Sequence, residues 1–180
     1  METTGVKHYK HGIHQISGCI DIDGVVKEKF NYFVRPHPKA LIDPEALAIG
    51  GVTEAQVMTY PTMDTVYFLI ITMLSKYVNK YDKKDKMFTC GYNNAGFDDM
   101  FLRAFFKQNG DEYFGSWFWA DVLDCRVLAA KYLMKLRHKM DNFKLSTVCK
   151  YVGIPVDESK LHDADYDIFL TRELYYALEM

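Results

Sequence analysis

Three separated segments of the sequence hold acidic or histidine side chains in patterns suited to metal-assisted chemistry. Glu2 begins the segment ETTG, Asp98 ends the segment NAGFD, and His162 and Asp167 lie close together in the segment HDADYD. Carboxylate oxygens are the ligands that Mg²⁺ prefers. Two such ions about 4 Å apart stabilise the attacking and the leaving oxygen of a phosphoryl displacement. A histidine beside them can take the proton of the attacking water, because its pKa is near neutral.

Each of these residues, taken singly, also has a structural explanation. Glu2 could be a frayed terminal charge, and Asp98 beside Asp99 could cap a helix. His162 could be a surface histidine within a solvated acidic run. Only the combination predicts a site, in which carboxylates from different elements converge and a histidine lies on a neighbouring loop.

In this order and at this spacing, the three segments resemble the motifs of the DEDDh 3′–5′ exonucleases. This family includes the proofreading subunit of bacterial DNA polymerase III and ribonuclease T. The sequence between the motifs is also similar, at residues 42–61 and 122–155. The resemblance implies a ribonuclease-H-like α/β fold, with a mixed central sheet flanked by helices. Since the sequence shows no linker or break in composition, we expect one domain over residues 1–180.

The resemblance also implies a role for individual residues. Glu2, Asp98 and Asp167 would bind two Mg²⁺ or Mn²⁺ ions, and His162 would be the general base. Substrate contacts would come from Thr3, Thr4, Gly5, Asn94 and Phe97. For Phe97 a place in the core is an equal alternative, since Phe101 and Phe105 follow it at helical spacing.

The implied activity is that of a metal-dependent 3′–5′ exonuclease acting on the 3′ ends of single-stranded DNA or RNA. It would release nucleoside 5′-monophosphates, and a DNA polymerase subunit is the protein partner that a proofreading role would add. The resemblance leaves the preference between DNA and RNA open.

One departure from the family pattern concerns the first motif, which reads Asp-x-Glu-Thr-Thr-Gly. This sequence begins at the x position, Met1, so the first aspartate and the strand that holds it are missing. We expect a start site or boundary placed inside the motif, and a 180-residue form less active and less stable than one extended by that strand. The alternative function is a catalytically impaired member of the same fold, which binds nucleic acid ends or a polymerase without cleavage.

Composition limits the remaining classes of protein. A net charge of −2 gives no global basic field for nucleic acid, and 49% hydrophobic residues are typical of a globular domain. The sequence shows neither a secretory signal nor an apolar run long enough to span a bilayer. We therefore expect a soluble, cytoplasmic protein with no membrane partner. The four cysteines form no CxxC pair, so free buried thiols are expected.

Two further groups of residues have open interpretations. A basic cluster precedes the third motif and is either a solvated helix end or a contact surface for substrate phosphates; it consists of Lys131, Lys135, Arg137, His138, Lys139 and Lys144. The histidines His8, His11 and His14 are spaced three apart and are better explained as surface residues than as a metal site.

The pattern of apolar and turn residues predicts the elements that must position the motifs. Asp23-Gly24 between two β-rich runs predicts a hairpin over residues 13–34. Helical turns are expected at 44–49 and 53–57, and a short buried strand at 87–92. Longer helices are expected at 62–79, 97–110, 121–136, 145–151 and from 164 or 165 onward. A hairpin followed by alternating strands and helices is typical of an α/β protein with a mixed sheet.

Overall fold

Five β-strands and seven α-helices make up the described part of the computed structural model, which comprises residues 1–161 and 163–178. The strands are β1 (Glu2–Thr3), β2 (Ile13–Ile22), β3 (Val25–Phe33), β4 (Met87–Gly91) and β5 (Phe118–Asp124). The helices are α1 (Pro44–Ile49), α2 (Glu54–Val57), α3 (Met63–Leu74), α4 (Asp98–Gln108), α5 (Cys125–Tyr132), α6 (Leu145–Val152) and α7 (Ala164–Ala177). The α/β class is confirmed.

Antiparallel and parallel pairing are both present, in two separate sheets among the described residues. Strands β1, β2 and β3 pair antiparallel in that order, whereas β4 and β5 pair parallel. Of the first strand, predicted to be missing, the described residues include only the two of β1, which lie opposite Gln15 and Ile13 of β2. A strand this short leaves the two sheets unpaired with each other, so the single central sheet expected from the sequence is divided.

The hairpin of β2 and β3 is confirmed, with its turn at Asp23 and Gly24. Both residues have positive φ, 52° and 77°, which matches a two-residue turn whose twist agrees with that of the flanking strands. Glycine adopts this backbone freely, and aspartate tolerates it better than most residues do.

The helix predicted over 121–136 is wrong at its start, where the chain forms β5 instead. Phe118–Asp124 pairs with β4, and aromatic and β-branched residues such as Trp119 and Val122 favour a strand there. Asp124 then caps α5, because its side chain accepts a hydrogen bond from the Arg126 N–H. Helix α3 likewise ends earlier than predicted, at Leu74.

The described residues form two hydrophobic cores. The first joins β2 with α3 and α4 and contains Ile16, Ile70, Phe105 and Phe106. The second joins α5, α6 and α7 around Leu170. Helix α7 contacts both β2 and β4 and thereby connects the two sheets.

Polar contacts fix α7 to the hairpin. Arg172 Nε donates to Asp21 Oδ2 at 2.7 Å, and Tyr176 Oη donates to Asp21 Oδ1 at 2.9 Å. Burial alone would raise the pKa of Asp21, but these hydrogen bonds more than offset it and hold that pKa below its usual value. These contacts, together with the packing of α7 against α5 and α6, set the position of α7 and of Asp167 within it.

Two expectations from composition can be compared with the structure. All four cysteines are free thiols, as expected, but only Cys125 and Cys149 are buried. Cys19 is half-buried, and Cys90 is exposed, with its Sγ 3.7 Å from that of Cys125. Within residues 1–161 and 163–178, each helix is too short or too polar to cross a membrane.

His14 is buried, contrary to the expectation of a surface histidine. Its side chain is 1% exposed, and neither ring nitrogen has a hydrogen-bond partner among the described residues. Burial lowers its pKa from the ordinary 6.5, because the charged imidazolium would lose its hydration.

The buried His14 predicts a loss of stability in mild acid. A pKa lower in the folded than in the unfolded chain means that unfolding takes up a proton. The stability associated with the neutral ring is thus complete above pH 6.5 and is lost as the pH falls through the lowered folded pKa. Urea unfolding from about pH 7.5 to about pH 5.5 should show a steeper decline for wild type than for His14→Phe, and equal declines would contradict this assignment.

Candidate active site

Asp98 is the first residue of α4 and lies beside the amino end of β1. Its Oδ1 is 3.1 Å from the α-amino nitrogen of Met1, which precedes Glu2. The side chain of Asp98 is 26% exposed, so its carboxylate is reachable from solvent. The fold therefore brings two of the three predicted ligand-bearing segments together, one from a strand and one from a helix start.

The neighbouring Asp99 has a different, structural role. It is buried, and its Oδ2 accepts a hydrogen bond from Arg103 Nε at 2.6 Å. Its Oδ1 lies 3.5 Å from Thr89 Oγ1, so the side chain ties α4 to β4. This difference supports Asp98, rather than Asp99, as the acid of the second motif.

The turn that leads from β4 into α4 is held by Asp124, a residue that the sequence analysis did not single out. Asp124 is buried at the end of β5, and its carboxylate accepts hydrogen bonds from the backbone N–H groups of Asn93 (3.0 Å), Ala95 (3.1 Å) and Arg126 (2.9 Å). The turn presents Asp98, so Asp124 is a positioning residue for it. An aspartate directly before a helix is a recognisable capping signal, but its contacts to residues 93 and 95 are not visible in sequence.

Removal of the Asp124 carboxylate should destabilise the fold measurably. Asp124→Ala leaves three N–H groups without their acceptor, and we expect a loss of about 1–3 kcal/mol in the free energy of unfolding. Asp124→Asn retains Oδ1, which accepts hydrogen bonds from the Asn93 and Arg126 N–H groups, and should lose less free energy of unfolding than Asp124→Ala does. Urea denaturation of both variants tests this, and an equal loss would show that the charge matters more than the acceptor geometry.

The segment of Thr3, Thr4 and Gly5 is buried and hydrogen-bonded within the protein. Thr4 Oγ1 donates to the Leu41 carbonyl at 2.7 Å and accepts from the Gly12 N–H at 2.9 Å, and Thr3 Oγ1 donates to the Gly5 carbonyl at 2.9 Å. Gly5 has a φ of 152°, and a Cβ there would lie 2.5 Å from the His11 ring. Since both hydroxyl protons are donated within the protein, any hydrogen bond that this segment donates to a substrate would come from its backbone.

The predicted substrate residues Asn94 and Phe97 lie within the turn before Asp98. Asn94 is 4% exposed, and its carbonyl accepts hydrogen bonds from the N–H groups of Phe97 and Asp99. The Phe97 ring is half-buried and lies 4.9 Å from that of Phe101. Both residues thus shape the start of α4, and Phe97 packs against the first core.

Asp167 lies near the start of α7 and is half-buried. Burial, together with the negative charge of Asp167, raises the pKa of the Cys149 thiol to about 11. The predicted general base, His162, lies outside the described residues. In the ranges that are described, no three or more His, Cys, Asp or Glu side chains form a group that could hold a metal ion. The full ligand set of Glu2, Asp98 and Asp167 therefore stays a prediction.

Known proteins resemble this chain in sequence and in fold. The family model described as RNase_T, Exonuclease, matches residues 1–175. E. coli exonuclease I in complex with a dT13 oligonucleotide has a TM-score of 0.74 at 22% identity, over 99% of this chain and 39% of that chain. A second structure of exonuclease I, described as suggesting how processivity is achieved, has a TM-score of 0.72 at 23% identity, over 99% of this chain and 39% of that chain.

An ExoI/SSB-Ct complex gives a TM-score of 0.71 at 21% identity, over 99% of this chain and 39% of that chain. The chain thus spans about two fifths of the length of the exonuclease I chains that it matches. No curated protein matches the sequence significantly. At these identities the solved structures establish the fold, and the family model, which covers nearly the whole chain, establishes the family. As its motifs predicted, the chain belongs to the exonuclease family.

Proposed function

We propose that the protein is a metal-dependent 3′–5′ exonuclease that releases nucleoside 5′-monophosphates from the 3′ end of single-stranded DNA or RNA. The observation that supports this most directly is the family match over residues 1–175, which includes Glu2, Asp98, His162 and Asp167. The dT13 oligonucleotide in the exonuclease I structure supports a single-stranded substrate. The proposed location is the cytoplasm, and a DNA polymerase subunit is the proposed protein partner.

The proposed cofactor is a pair of Mg²⁺ or Mn²⁺ ions held by Glu2, Asp98 and Asp167. These side chains fit such ions in their chemistry, since carboxylates are hard oxygen donors. The Asp98 carboxylate is also 26% exposed, so an ion from solvent can reach it. When bound, the ions would supply the positive charge that stabilises the attacking and leaving oxygens of the phosphodiester.

The protein's own groups would position the substrate and move the proton. His162 would accept a proton from the attacking water, as its place in the third motif implies. The backbone of Thr3 and Gly5 would lie against the terminal nucleotide, because the threonine hydroxyls are already engaged. Asn94 would act indirectly, by shaping the turn that presents Asp98.

Degradation of a labelled strand tests this function. A single-stranded oligonucleotide labelled at its 5′ end should shorten progressively from the 3′ end in the presence of Mn²⁺, and EDTA should stop the reaction. The mononucleotides released should be 5′-monophosphates, identified by chromatography. Release of 3′-monophosphates, or shortening from the 5′ end, would contradict the proposal.

A modified chain tests the alternative of binding without cleavage. Insertion of an aspartate directly before Met1 restores the Asp-x-Glu spacing of the family motif and adds a carboxylate beside Glu2 and Asp98. We expect this insertion to increase Mn²⁺-dependent degradation. Binding of the strand without degradation, in both forms, would favour the catalytically impaired function instead.

A further inference from the structure

An open groove of about 520 Å³ lies at the end of the β4–β5 sheet, and its lining does not include the predicted metal ligands Glu2, Asp98 and Asp167. One wall is the turn at Asn93, another is the outer face of α5, and the third is the segment from Arg137 to Phe143. Asn93 belongs to the same turn that presents Asp98, so the groove adjoins the candidate active site through the backbone. The function proposed above does not use this groove.

The electrostatic character of the groove is set by two arginines. The one acid in the lining given by the described residues is Asp124, which is buried and accepts three backbone hydrogen bonds, and its single negative charge is outnumbered by the two guanidinium groups. Arg126 and Arg137 are both exposed, and Arg126 Nη1 donates to Asn93 Oδ1 at 2.9 Å. This bond uses one of five guanidinium donors and fixes the group at the edge of the groove.

The sequence around the groove is strongly basic. Residues 126–144 contain six lysines and arginines and one acid, Asp141, for a net charge of +5 in a chain whose net charge is −2. All six of these basic side chains are exposed. Positive charge concentrated in one exposed segment of an acidic chain, two of whose arginines line the groove, is typical of a phosphate-binding surface.

Apolar groups line the same groove. Val127 and Met134 are 64% and 68% exposed, and the Arg137 guanidinium lies 4.8 Å from the centre of the Phe143 ring. The Phe143 carbonyl accepts a hydrogen bond from Tyr92 at 2.6 Å, which holds this segment in place. Nucleobases stack on apolar side chains and on guanidinium planes, whereas phosphates pair with arginine.

We propose that this groove is a second binding site for single-stranded nucleic acid, which holds a nucleotide upstream of the 3′ end. Arg126 and Arg137 bind its phosphate, and Met134 and Phe143 contact its base. This second site rests on the proposed function, because its ligand is the single-stranded nucleic acid that the proposed exonuclease would degrade. An acidic protein segment would satisfy the charge of the groove, but the planar and apolar groups favour a nucleotide.

Binding in the absence of metal tests the site apart from catalysis. The anisotropy of a fluorescein-labelled oligo(dT) of about ten nucleotides is measured against the full chain in EDTA, at several salt concentrations. Arg126→Gln and Arg137→Gln should each weaken binding about 5-fold or more, and each should reduce the dependence of log K on log[salt] by about one. The matched controls, Lys83→Gln and Lys84→Gln, remove exposed charges from a distant loop and should bind as wild type does.

A further variant addresses the apolar wall. Met134→Glu changes an exposed side chain that the fold does not need, and its negative charge should weaken binding about 5-fold or more. Unchanged binding in the arginine variants and in Met134→Glu, or losses equal to those of the lysine controls, would overturn the proposal. Tighter arginine-dependent binding of a polyglutamate peptide than of the oligonucleotide would overturn it too. EDTA prevents cleavage, so this experiment measures binding alone. A protein without exonuclease activity could still bind the oligonucleotide in the groove, and a protein that does not bind it there could still be an exonuclease.

Discussion

In the form with an aspartate inserted before Met1, replacement of Asp167 by alanine is expected to slow Mn²⁺-dependent degradation of a single strand by at least about 100-fold. Asp167 is the last residue of the third motif and the proposed ligand from α7, so its loss leaves too few hard oxygen donors for two ions. Changes to residues that merely support metal ligands typically cost 10–100-fold, and we expect a ligand to cost at least about 100-fold. The initial rate of 3′-end shortening measures the effect.

The control for this experiment follows from the capping of α7. Asp163 is unsuitable, because its side chain accepts a hydrogen bond from the Tyr166 N–H and caps the helix. Asp165 is exposed in the first turn, and Asp165→Ala should retain most of the rate. Similar losses from Asp165→Ala and Asp167→Ala would show that the ligand of the third motif is misassigned.

Truncation of Phe106 to alanine is expected to lower the free energy of unfolding more than any other substitution named above. Its ring is fully buried and packs edge-on against Tyr67 at 5.3 Å and Phe114 at 5.1 Å. Phe106→Ala removes this contact area and leaves a cavity, at a cost of about 3–5 kcal/mol. That is a large part of the 5–15 kcal/mol by which a typical domain is stable.

Phe68 provides a matched control for this prediction. Its side chain is 65% exposed on α3, so Phe68→Ala should change the free energy of unfolding by no more than about 0.5 kcal/mol. Urea denaturation followed by circular dichroism gives both values. A loss for Phe106→Ala as small as that for Phe68→Ala would mean that the first core is not packed as described.

Local signals in the sequence were sufficient for much of the fold. The pair Asp23-Gly24 predicts the hairpin because few residues other than glycine, asparagine and aspartate adopt the positive φ that its turn requires. Strand β5 was missed because Val122 and Leu123 fit a helical and a strand pattern equally well. Its pairing with β4, a tertiary contact, decides between the two.

In the candidate site, too, some residues are predicted from the local sequence, whereas the roles of others depend on tertiary contacts. The motif around Asp98 is readable in sequence, and its position at the start of α4 agrees with the prediction. Asp124 and His14 were not predicted in their roles, since one serves a turn about 30 residues earlier and the other is buried by elements distant in sequence. Burial depends on the whole fold and is not visible in the spacing of three histidines.

The attachment of α7 to the hairpin has a consequence for synthesis of the chain. Asp21 and its partner Arg172 are 151 positions apart, so at 5–20 residues per second the ribosome makes the hairpin roughly 8–30 s before its partner helix. The entropic cost of closing so long a loop grows only logarithmically with its length. Throughout that interval, however, the face of β2 that α7 will cover is open to water and to other chains. The nascent hairpin is therefore the segment that we expect to need chaperone protection, and the synthesis of α7 ends this need.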